Sequence, residues 1–178
     1  SSQHSLVYPH LTYGMGAYAY VSLLFMLPEI PATALGEREA SRFKVDVMTG
    51  ALEIVDSVFS PAHQETFRQH YLFRQTLRAK SRILRTGRFM LLSARLQDKE
   101  VEDAVCFVRY ERDEFIICAV STSPHQATFY VDLSELASLP EFADTAQGYQ
   151  LEDLLVPGTP RQAFTADELL NEKQYIKL

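Results

Sequence analysis

The sequence predicts an α+β chain in two parts: helices flanking one buried strand, then an antiparallel sheet. Three observations predict it. Pro28 and Pro31 punctuate an apolar stretch, "LFMLPEIPATALGE" at 24–37. Ser60-Pro61 opens a long stretch of helical periodicity that closes at Thr86-Gly87. From residue 88 onward, short β-rich segments alternate with turn residues.

Residues 15–26 (MGAYAYVSLLFM) carry almost no charge, and the spacing of Tyr18, Val21 and Phe25 with Ala17 and Leu24 suits a helix packed on more than one side. Pro28 cannot continue a helix, and it pushes the residue before it to extended geometry, so this helix ends near Leu27. Pro31–Leu35 is then short and wholly apolar, the pattern of a strand covered on both faces, as in parallel sheets. The prolines thus stop one element and set up the next. Residues 45–55 read as a small hairpin around Thr49-Gly50 or as an irregular insertion. Ser60 is a good N-cap and Pro61 fits the first helical position, so a helix runs from there to about Leu84. Phe67, Tyr71, Phe73, Leu77 and Leu84 supply its apolar face; Arg68, Arg74, Arg78 and Lys80 fall on the solvated one.

The boundary at Gly87 divides the chain into 1–87 and 88–178. Segments 88–96, 104–111, 114–121 and 127–133, with shorter ones at 148–154 and 173–178, have the spacing of an antiparallel sandwich or small barrel. If the hairpin is symmetric about Arg112-Asp113, position 106 faces 119 and 107 faces 118. Cys106 and Cys118 then point to opposite faces, because side chains alternate along a strand. They are expected to be free, buried thiols, which fits a reducing, cytoplasmic compartment.

With 47% apolar and 22% charged residues over 178 positions, the chain can bury a sizeable core. Its net charge of −6 argues against a nucleic-acid or anionic-membrane surface. The basic cluster between Arg68 and Arg88 reads as the solvated side of a helix. No apolar run reaches the ~20 residues of a membrane span, and there is no signal-peptide pattern. Ser1-Ser2-Gln3 looks like the middle of something, so a natural start upstream is expected.

The side chains show no catalytic constellation of their own. His4, His10, His63, His70 and His125 are scattered, and His63 and His70 lie two helical turns apart, too far for one ion. Glu100, Glu102 and Asp103 form an acidic run that reads as a solvated turn in preference to a calcium site. Tyr8, Tyr13, Tyr18 and Tyr20 could stack on sugar rings, but tyrosines at helical spacing more often pack a core. Ser121, Ser123 and His125 make no triad, since no Asp is placed to orient the His. There is no Gly-rich phosphate loop. No metal and no cofactor is expected.

The order of apolar helix, "LPEIPATALGER", long basic helix "FRQHYLFRQTLRAKSRILRTGRF" and the sheet "AVCFVRYERDEFIICAVSTSPHQATFYVDL" resembles the end of the α-amylase-type glycoside hydrolase family. There the last strand of a (β/α)8 barrel often reads Leu-Pro-Gly-Ile-Pro, then apolar residues, then Gly-Asp-Glu. The resemblance spans nearly the whole chain. It implies the final αβα part of a (β/α)8 barrel in 1–87 and an antiparallel β-sandwich in 88–178.

The departures carry functional weight. Glu29 stands where the family usually has Gly, Ala34 and Leu35 where aromatic residues are common, and Arg38 follows Glu37 where a second acid is usual. The family's chemistry rests on three carboxylates at the C-terminal ends of barrel strands. The resemblance puts two upstream of Ser1 and the third, after Asn-His, near "SQHS". If that is the site, His4 matches the His while Gln3 and Ser5 replace Asn and Asp; otherwise the true motif lies upstream. The resemblance therefore implies a segment without catalytic carboxylates, with His4 and Glu37 as substrate-side residues. The parent would be a retaining glycosidase or glucanotransferase acting on α-glucosidic bonds, its partner an α-glucan or oligosaccharide. Residues 15–36 would pack against the remaining barrel or a second chain. The alternative is a non-catalytic α+β interaction or carbohydrate-binding module.

Overall fold

The structure, a computed structural model, describes residues 13–31, 38, 40, 43–45, 52–54, 59–96, 99–112, 114–123, 128–142, 148–156, 158–171 and 174–177. It is mixed α and antiparallel β, the α+β class expected. The chain divides into two compact units, Ser1–Gly87 with Thr122–Pro124, and Arg88–Ser121 with His125–Leu178.

The first unit is built on two helices. A 3-10 turn at Gly14–Gly16 leads into α1, Ala17–Met26, which buries Ala17, Val21, Ser22, Phe25 and Met26. It stops where Pro28 requires: Leu27 is extended, with ψ 159°. Strands β1, Phe43–Val45, and β2, Leu52–Ile54, pair antiparallel with Phe43 opposite Ile54, a register centred between Met48 and Thr49 instead of on Thr49-Gly50; the residues that join them lie outside the described ones. The apolar strand expected at Pro31–Leu35 lies outside the described residues beyond Pro31.

Helix α2 spans Pro61–Lys80, with the Ser60 hydroxyl accepting from the His63 amide as its N-cap. It is shorter than the sequence suggested. Ser81 turns extended, ends α2, and its hydroxyl accepts from the Leu84 amide to start α3, Arg82–Thr86. A residue with a short polar side chain can close one helix and cap the next, and this one does. The two long helices meet through rings packed edge to face: Tyr18 on Phe67 at 5.3 Å and Phe25 on Tyr71 at 5.1 Å.

Arg78 corrects the face assignment. It is buried, not solvated: Nη1 donates to the carbonyls of Phe25 at 2.9 Å and Leu27 at 2.7 Å, and Nη2 to that of Glu29 at 2.8 Å. The end of α1 and the proline turn after it leave carbonyls without intrahelical partners, and the guanidinium fork takes three of them. Conversely Phe73, assigned to the apolar face, is 36% exposed.

Among the described residues the second unit carries nine strands. β3 (Arg88–Leu92), β6 (Ala104–Glu111) and β7 (Glu114–Ser121) form a sheet in the order β3-β6-β7. β4 (Ala94–Leu96), β5 (Lys99–Glu100), β8 (Thr128–Val131) and β11 (Gln174–Lys177) form another in the order β11-β8-β4-β5. β9 (Gly148–Leu151) and β10 (Gln162–Thr165) make a two-stranded ribbon, followed by α4, Ala166–Asn171. The β6–β7 register places Cys106 opposite Ala119 and Phe107 opposite Cys118, as the symmetric hairpin requires, and both cysteines are buried and outside any disulfide.

Alternation then sorts the core. Leu92, Cys106, Val108 and Tyr110 on the first sheet pack with Ala94, Phe129 and Val131 on the second, and with Leu136, Phe142, Tyr149 and Leu169. β6 is buried on its other face too, at Phe107 and Arg109, so its sequence reads as continuous burial instead of half.

Candidate functional site

His4 and Glu37, the two residues singled out for substrate contact, lie outside the described residues, as does His125. Two polar constellations are described, one in each unit.

The first joins α1 to α2. Ser22 Oγ donates to the Tyr18 carbonyl at 3.0 Å and accepts from Arg74 Nε at 3.2 Å. His70 Nε2 lies 3.2 Å from Ser22 Oγ and 3.1 Å from the Tyr18 carbonyl. Since a carbonyl can only accept, Nε2 carries a proton and donates. His70 therefore cannot take the Ser22 proton through that nitrogen, and the pair is no activated nucleophile. Burial, reinforced by the neighbouring Arg74 cation, lowers the His70 pKa to about 4 against the donation to Tyr18. The neutral ring is a cross-helix clamp.

The second is a groove of about 330 Å³ in the β unit, lined by Leu91, Leu92, Ser93, Glu100, Ala104, Val105, Cys106 and Glu135. It arises where the chain leaves the first sheet at Ser93 for the second. Ser93 Oγ donates to Glu135 Oε1 at 3.1 Å. Among the described residues no three His, Cys, Asp or Glu side chains are grouped to hold a metal ion, and no helix is long and apolar enough to cross a membrane. The acidic run at Glu100, Glu102 and Asp103 forms β5 and the exposed turn after it, with Glu100 on the groove. Sequence reading did not find the groove, because its lining comes from separate segments.

No protein-family model matches the sequence, and no curated protein matches it. Solved structures do match by fold. A maltogenic α-amylase from Thermotoga neapolitana matches with a TM-score of 0.56 at 12% identity, over 93% of this chain and 34% of that one. A debranching enzyme from Nostoc punctiforme matches with a TM-score of 0.53 at 17% identity, over 92% of this chain and 32% of that one. The same Nostoc enzyme soaked with acarbose matches at 0.52 and 17% identity, over 92% and 30%. The chain spans about a third of the length of these structures. At such identity the likeness is one of fold.

Proposed function

We propose that this chain is the C-terminal part of an α-amylase-type glycosidase or glucanotransferase acting on α-glucosidic bonds. In this reading 1–87 is the end of a (β/α)8 barrel and 88–178 is the antiparallel sandwich domain that follows it. One observation carries the proposal: the fold match runs over 92–93% of this chain and only about a third of each amylase or debranching enzyme. The order of proline-stopped helix, long basic helix and antiparallel sheets agrees with it.

In this reading the segment itself lacks the catalytic carboxylates. A retaining mechanism needs a nucleophile and a general acid about 5 Å apart. Within the described residues, the Ser22–His70 contact is a structural clamp, and the Ser60–His63 contact belongs to the N-cap of α2. The segment supplies packing, a barrel strand and, at His4 and Glu37, a wall beside an α-glucan; the acid and the nucleophile belong to sequence upstream. Residues 15–36 pack against that upstream barrel. The test is direct: this chain should not hydrolyse starch, maltooligosaccharides or aryl α-glucosides, whereas the natural gene product read from upstream of Ser1 should. Turnover by the segment that persists in Glu37→Gln would sink the reading.

A further inference from the structure

We draw no further inference here: the strongest candidate, the surface patch at the start of α1 where Tyr13, 58% exposed, stacks on Tyr20, is an apolar face of the first unit, and nothing in the structure shows what covers it.

Discussion

Replacing Arg78 by Met keeps most of the aliphatic stem and removes the fork that holds three carbonyls. Each bond is charge-assisted and short, 2.7 to 2.9 Å, and such bonds contribute ~1.5–3 kcal/mol where water is excluded. The Phe25 bond is buried; those to Leu27 and Glu29 are partly open, so water recovers part of their loss. A cation at the end of α1 adds a helix-dipole contribution of ~0.5 kcal/mol. The net cost of Arg78→Met should be about 3–5 kcal/mol, a large share of the ~5–15 kcal/mol that a domain has. Arg78→Lys should recover less than half, because a single ammonium cannot reach three carbonyls in the fork's geometry. Hydrogen exchange followed by mass spectrometry reads the units separately. Protection of 17–26 and 61–80 should fall by two to three orders of magnitude in Arg78→Met, at about 1.4 kcal/mol per tenfold, with 104–120 little changed. A loss of less than tenfold, or full recovery by Lys, would refute this account of the proline turn.

Three further outcomes follow from the same geometry. The His70 pKa, lowered from 6.5 to about 4, means the unfolded chain binds its proton first as pH falls. Stability should therefore be constant above pH 6.5 and decline from there to pH 4, by about 1–2 kcal/mol once screening of this half-buried ring is allowed for, and His70→Gln should flatten the decline. Burial pushes the Cys106 thiol up to about 11, and both cysteines are buried, so neither should react promptly with Ellman's reagent at pH 8 until the chain is unfolded, when two should. Arg112 sits at φ 57° in the β6–β7 turn, a left-handed conformation that Asn tolerates better; Arg112→Asn should stabilise the β unit by ~0.5 kcal/mol in urea titrations, and a loss would show that the arginine side chain matters there.

What the sequence discloses depends on the kind of force involved. The β6–β7 register was legible because strand alternation and a two-residue turn leave few alternatives. The end of α1 was legible because Pro28 forbids continuation. Arg78 was not, since arginines were assigned to solvent by their chemistry. Their spacing says otherwise: 67, 71, 74 and 78 fall on one stripe, so Arg78 shares the face of Phe67 and Tyr71, while Phe73 is turned well away. The break at Ser81 was hidden because serine is neutral in a helix until its hydroxyl finds an amide. β10 escaped notice because only Phe164 among Gln162–Thr165 is even partly buried. The helix after it had a signal that went unused: Thr165 and Glu168 form a reciprocal capping box.

The same distinction bears on function. A core position accepts any apolar residue of about the right volume, so a fold can persist at 12–17% identity. A nucleophile or general acid has no such latitude: serine in place of a carboxylate keeps the volume roughly and loses the charge that an oxocarbenium-like transition state requires. Fold likeness and catalytic likeness therefore decay at different rates, so the fold match supports the proposed reading and the catalytic positions need a test of their own. Residues 3–5 are the place to separate them. Converting Gln3 to Asn and Ser5 to Asp would rebuild the Asn-His-Asp pattern around His4. If the chain is part of a longer amylase-type protein, as proposed, a gain in that protein's turnover on maltooligosaccharides from that pair of changes would mark "SQHS" as a degenerate catalytic position. No gain, with the fold intact, would mean that the match is chance and that "SQHS" is not the third catalytic position.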